Sequence, residues 1–216
     1  MLTVKTEWGN LPAQYKYERH AGGAKTLAVL FPGRGYSLDA PIMWYAAKAA
    51  YGAGCDVLGI EYGYQANRVS FEMEGFERLV SEAVSALETV LADSAYSDFV
   101  FIGKSLGTRV QSEVAKKAQL SVSRHVFLTP LQPVISSILA SDRALVIVGD
   151  NDPAFTPEDV AAVRESAGVT VHIMAAADHS LETPDMLASI GILQTTAQLC
   201  QAFCQPASSP ENHVKN

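Results

Sequence analysis

The sequence predicts an α/β protein: a mostly parallel central sheet with helices on both faces, and an antiparallel hairpin at its N-terminal end. Three observations carry this expectation. From residue 26 onward, short continuous apolar runs alternate with longer segments of helical period, as expected for strands buried on both faces and joined by crossover helices. The runs end in clusters of Gly, Pro, Asp and Ser, which punctuate strand ends. One connection, Gly103-Lys-Ser-Leu-Gly107, joins an apolar run directly to an amphipathic segment.

Residues 2–8 and 13–19 alternate imperfectly, with Ala13, Tyr15 and Tyr17 on one side and Gln14, Lys16 and Glu18 on the other. Gly9-Asn-Leu-Pro12 between them has turn chemistry, which gives the hairpin. Residues 26–31 form the first fully apolar strand. Pro32-Gly-Arg-Gly-Tyr-Ser37 after it holds two glycines within four residues, which implies unusual backbone angles or the close approach of a ligand. A helix over residues 40–51 follows, with Pro41 in its first turn. A strand over 55–60 leads into an aromatic and polar loop, 61–68. Ser70 is placed to cap a long helix in which Phe76, Leu79, Val80, Ala83, Val84, Leu87, Val90 and Leu91 recur at three and four.

Residues 99–102 are the next strand. Beyond its turn, Leu106, Val110, Val114 and Ala118 continue at four-residue spacing. Residues 124–129, 143–148 and 169–174 supply the remaining strands, with a short helix over 134–140. Thr156-Pro-Glu158 reads as a helix start, with Thr156 at the N-cap and Pro157 at the first helical position. Thr183-Pro-Asp185 begins a final helix reaching about residue 204. Residues 1–204 read as a single domain, and the tail 205–216, rich in Pro, Ser and Asn, as disordered.

Composition narrows the function. A chain of 216 residues, 48 % hydrophobic and 18 % charged, can bury a large core. Its net charge of −7 argues against a nucleic-acid binder, which would present a basic face. No secretory signal and no apolar stretch of about 18 residues is evident, so neither export nor a membrane span is expected. Cys55, Cys200 and Cys204 match no zinc spacing. The last two lie one helical turn apart and read as packing residues. A cytoplasmic protein with no metal and no cofactor is expected, and a homodimer is left open.

The chemistry-bearing residues collect at strand ends. Ser105 stands at the apex of a G-x-S-x-G turn between strand and helix, the arrangement that presents a serine hydroxyl above a sheet edge. Gly149-Asp-Asn-Asp-Pro153 follows a later strand, and Ala175-Ala-Ala-Asp-His-Ser180 follows the last one. In a parallel sheet these loops emerge at one edge, where ligands bind. A serine needs a base to become a nucleophile, and the base needs a carboxylate to fix its tautomer. His179 is the base that fits, because His125 and His172 lie within strands and His20 precedes a Gly-Gly turn. Asp152 is preferred as the acid. Asp150 competes with it from two residues away, and Asp178 is a third choice. Leu106 N–H and Arg34 N–H, the latter in the Gly-rich loop, are the expected oxyanion donors. Tyr36, Glu61, Tyr62, Tyr64 and Phe155 are candidates to line the pocket by loop position. Lys104 and Arg34 read either as favouring an anionic substrate or as facing solvent.

On these residues the chain resembles the α/β-hydrolase superfamily over roughly residues 13–204. Within it, the chain is similar to small serine hydrolases of the dienelactone-hydrolase and small-carboxylesterase type. The resemblance implies Ser105 as nucleophile, Asp152, just before its proline, as acid, and His179 as base. Relatives commonly carry His-Gly where this chain has Pro32-Gly33. Residues 130–140 leave little room for a cap domain, so a minimal fold is expected. The implied activity is cleavage of a small-molecule ester or thioester. An acyltransferase with the same three residues and an inactive interaction domain on the same fold are the alternatives.

Overall fold

The computed structural model describes residues 2–206. Their strands are β1 (Leu2–Val4), β2 (Ala13–Glu18), β3 (Thr26–Phe31), β4 (Asp56–Gly59), β5 (Asp98–Lys104), β6 (Arg124–Leu128), β7 (Ala144–Gly149) and β8 (Val169–Met174). The helices are α1 (Pro41–Gly52), α2 (Gly63–Ala66), α3 (Phe76–Ala92), α4 (Leu106–Lys117), α5 (Ile135–Leu139), α6 (Pro157–Arg164) and α7 (Met186–Cys204). The expected tail lies, from residue 207 on, outside the described residues.

The strands make one sheet in the order β1-β2-β4-β3-β5-β6-β7-β8. β1 and β2 pair antiparallel, as does β2 with β4, and every pair from β4 through β8 is parallel. The apolar runs are central because both their faces are covered. Leu27, Val29 and Phe31 of β3 pack with Phe101 toward α3 and α4. Ala28 and Leu30 pack with Val100, Ile102, Val126 and Leu128 toward α1 and α7. The two-residue period of the strand thus splits one hydrophobic run between two layers. Phe127, Val146 and Val148 make a third cluster with Val160 and Val163 of α6. Parallel register levels the carboxyl ends: Phe31 pairs with Gly103, Lys104 with Leu128, and Gly149 with Met174.

Several local expectations move. Ser70 caps no helix. Gly75 holds the N-cap of α3 after a single 3-10 turn, Met73–Gly75. The reason is tertiary: a Cβ on Gly75 would stand 2.3 Å from the Trp8 ring. The Trp8 indole N–H donates to Glu82 at 3.1 Å. The hairpin partner therefore dictates where the helix begins. The loop expected over 61–68 contains the helical turn α2. The final helix starts at Met186, where the Asp185 carboxylate accepts from Leu187 N and Ala188 N. α6 begins as read: Thr156 and Asp159 form a reciprocal capping box. Cys55, Cys200 and Cys204 are buried together against α1. Among the described residues no helix is long and apolar enough to cross a membrane.

Candidate active site

β5 delivers Ser105 through a turn that only small neighbours allow. A Cβ on Gly107 would lie 1.9 Å from the Phe31 carbonyl oxygen, and one on Gly103 would lie 2.6 Å from that of Gly107. Helix α4 can therefore start hard against the ends of β3 and β5. Ser105 takes up the geometry with φ 51° and ψ −116°, a left-handed conformation that a non-glycine residue keeps only where its surroundings enforce it. Its amide donates to Leu128 O at 3.0 Å, tying the apex to β6.

Two other strand ends meet this serine. His179 Nε2 lies 2.8 Å from Ser105 Oγ, and His179 Nδ1 lies 2.8 Å and 2.9 Å from the two oxygens of Asp152. A carboxylate only accepts, so Nδ1 carries the proton and Nε2 is the acceptor for the serine hydroxyl. Asp152 is 5 % exposed and also accepts from Ala154 N at 2.8 Å. Asp150 is exposed, and among the described residues the imidazole bonds to Asp152 and not to it; its amide continues the β7–β8 pairing by donating to Met174 O. Asp178 serves its own turn, with Oδ1 accepting from Ser180 N at 2.7 Å and Glu182 N at 3.1 Å. Ala176 and Leu181 flank that turn with φ of 58° and 60°.

The loop after β3 lies against the elbow. A Cβ on Gly33 would sit 3.6 Å from Ser105 Cβ. Neither Arg34 N–H nor Leu106 N–H donates to another group among the described residues. The loop is braced from behind, where Tyr64 Oη donates to Arg34 O at 2.8 Å and Gln65 Nε2 to Gly33 O at 2.9 Å. Burial pushes the Tyr64 phenol well above its usual range.

Of the five candidate pocket residues, Tyr36 borders the cleft beside the histidine turn, and Phe155 borders another with Gly149 and Asp150. A cleft of about 400 Å³ opens beside the histidine turn between α1 and α7, bordered by Tyr36, Ile42, Leu181, Glu182, Ile190 and Leu193. Tyr64 braces the Gly-rich loop instead. Tyr62 is buried in the α3-side core with its hydroxyl unpartnered. Glu61 is bonded to Gln14 N of β2, and Phe155 is buried in the α6 cluster. Apolar burial and sheet-edge pairing draw Glu61, Tyr62 and Tyr64 away from the cleft beside the histidine turn.

Of the two basic residues, Arg34 faces solvent, one of the two readings, whereas Lys104 meets neither. The Arg34 guanidinium turns to Phe71 O and Glu72, which leaves it facing solvent. Lys104 is 2 % exposed, with Nζ donating to Thr129 Oγ1 at 3.0 Å and His179 O at 2.9 Å. Its signal was present in the sequence: strand alternation puts residue 104 on the face of Val100 and Ile102, both fully buried. Gln65 and Thr129 had no comparable signal.

The sequence and the fold both have relatives. A family described as "Alpha/beta hydrolase domain" matches residues 24–205. No curated protein matches the sequence. Among solved structures, an alpha-beta serine hydrolase homologue from Coxiella burnetii is 19 % identical with a TM-score of 0.69, over 93 % of this chain and 95 % of that one. A serine hydrolase without a lid from Xanthomonas campestris is 16 % identical with a TM-score of 0.68, over 96 % and 95 %. Est1E from Butyrivibrio proteoclasticus, solved with ferulic acid bound, is 11 % identical with a TM-score of 0.70, over 94 % and 97 %. These likenesses are of fold.

Proposed function

The chain belongs to the alpha/beta hydrolase domain family, and from that premise we propose that it is a serine hydrolase cleaving a carboxylic ester or thioester through Ser105, His179 and Asp152. The observation that carries the reading is the unbroken hydrogen-bond relay from Ser105 Oγ through His179 to buried Asp152. Attack by Oγ on the substrate carbonyl sends the serine proton to Nε2. The imidazolium so formed lies against the Asp152 carboxylate, which stabilises it. The Leu106 and Arg34 amides hold the oxyanion, a role worth roughly 3 kcal/mol per donor. Collapse transfers the proton from Nε2 to the leaving oxygen or sulfur and leaves an acyl group on Ser105. Water then loses a proton to Nε2 as it adds to the acyl carbon. The second tetrahedral intermediate collapses with its C–Oγ bond broken, Nε2 returns the proton to Ser105 Oγ, and the acid is released.

The lining of the cleft beside the histidine supports an uncharged, partly apolar acyl or alcohol group. Ile42, Leu181, Ile190 and Leu193 supply apolar contact, and among the described residues the only charged side chain bordering it is acidic Glu182. A fluorophosphonate probe tests the reading. Wild type is expected to label stoichiometrically and to hydrolyse p-nitrophenyl butyrate, with both lost in Ser105→Ala. Absent labelling of wild type, or equal labelling of the variant, would overturn it.

A further inference from the structure

Lys104 is the least expected group in the molecule. A lysine is almost never fully buried, yet this one is 2 % exposed and immediately precedes the candidate nucleophile. An ammonium has three N–H donors, and all three directions are occupied. One donates to Thr129 Oγ1 beyond the end of β6 and one to the backbone carbonyl of His179. The third direction is covered by the Tyr36 ring in the loop after β3, with Nζ 4.6 Å from its centroid. The three partners come from three different strand-end loops. The histidine turn carries the candidate base, the loop after β3 carries the candidate oxyanion donor, and both border the cleft.

We propose that Lys104 is a positioning residue: its buried ammonium ties the histidine turn, the β6 end and the Gly-rich loop into one frame around Ser105, and catalysis needs the charged form. The proposal rests on the serine-hydrolase reading. A charge-assisted bond to the His179 carbonyl is shorter and about twice as strong as a neutral one, and attraction to the Tyr36 face exists only for the cation. Loss of the proton weakens both together and frees the turn that aims Nε2 at Ser105. A misplacement of about 1 Å can lower a rate on the order of 100-fold.

The surroundings make that loss accessible in an ordinary assay. Burial pulls the Lys104 ammonium down from 10.5 to about 8, against the opposing pull of Asp152, Asp178 and Glu182. These carboxylates, with Tyr36 and His179, are the titratable groups that face it. Tyr36 is pushed above its ordinary 10.0, chiefly by burial, so it stays neutral while Lys104 titrates. Stability has the opposite dependence. Folding depresses the proton affinity of Lys104, so the unfolded chain binds more protons between pH 8 and 10.5 and this group makes stability rise with pH there. Activity that falls over an interval in which Lys104 itself adds to stability is a signature that a merely structural lysine does not give.

The test is the pH dependence of kcat and KM for p-nitrophenyl butyrate, with fluorophosphonate labelling rates and melting temperatures over the same range. For wild type, kcat is expected to drop about tenfold per pH unit above about 8, reversibly, with KM within about twofold and no fall in melting temperature up to about pH 9. Above that pH the buried Cys200 thiol, pushed up from 9.0 to about 12, lowers stability as pH rises. Lys104→Met is expected to lower kcat about tenfold or more at pH 7.5 and to abolish the alkaline limb. Thr129→Val provides a second arm should that variant fold poorly: removing one acceptor of the ammonium is expected to move the limb to lower pH. A wild-type profile flat to pH 9.5, or a limb unmoved in both variants, would overturn the lysine proposal while labelling of Ser105 leaves the hydrolase reading standing. Wild type that does not label would overturn both.

Discussion

Two aspartates stand two positions apart in the loop after β7, and burial separates their roles. Asp152 turns inward onto His179 Nδ1, whereas Asp150 is exposed and its backbone, not its carboxylate, does the structural work. Asp152→Asn is expected to keep the fold and lower kcat by about 10³- to 10⁴-fold, because an amide can donate to Nδ1 and so favours the wrong tautomer. Asp150→Asn is expected to stay within about twofold. Steady-state kinetics on the two variants decides between them; equal losses would mean that the acid has been misassigned. The local sequence Gly-Asp-Asn-Asp-Pro announced an acid without fixing which one. That choice depends on where the chain turns after β7, set by Asn151 N donating to Ala177 O across to the histidine loop.

At the scale of elements, helix starts show how far local chemistry reaches. The start of α6 is written in four residues. Thr156 accepts from Asp159 N, Asp159 accepts from Thr156 N, and Pro157 fills the first helical position. Thr156→Ala is expected to lower stability by about 1 kcal/mol, read as a shift in urea midpoint, with kcat within about twofold. A loss of activity larger than the loss of folded protein would show that α6 feeds the acid loop more directly. The start of α3 could not be read in the same way. Ser70 is a good cap in isolation, but Trp8, far away in sequence, fills the space beside Gly75 and draws Phe71 into the same aromatic cluster. Helical periodicity gave the body of α3 correctly because it depends on one buried stripe, whereas its first turn depends on a distant partner.

The whole molecule carries a further titration within its sheet. His125 of β6 is 9 % exposed, packs against Phe101 and Phe127, and leaves Nδ1 without a partner among the described residues. Burial pulls its pKa down from 6.5 to about 4. The folded state holds this imidazole neutral while the unfolded chain protonates it below about 6.5. Its contribution is therefore fully present above pH 6.5 and is lost as pH falls toward 4. At 1.36 kcal/mol per unit, the loss amounts to about 3 kcal/mol. Urea denaturation at pH 7.5, 6 and 5 is expected to show this decline, and His125→Leu is expected to flatten it. An unchanged slope in that variant would assign the acid sensitivity to other groups.

By itself the sequence determined the layering, the mostly parallel direction of the strands from residue 26 onward, and the three loops in which a serine, an acid and a histidine could meet. Each of these follows from short-range rules: strand and helix period, turn chemistry, and the common edge at which parallel strands end. Tertiary structure decided which aspartate faces the imidazole, which aromatic residues go into the core, and where α3 begins. It also decided what Lys104 does. The alternation of β5 points that side chain inward, but two acceptors and an aromatic ring from three separate loops had to converge before a buried ammonium could be held there. Convergence of that kind is a property of packing, because no stretch of sequence contains all the groups that meet.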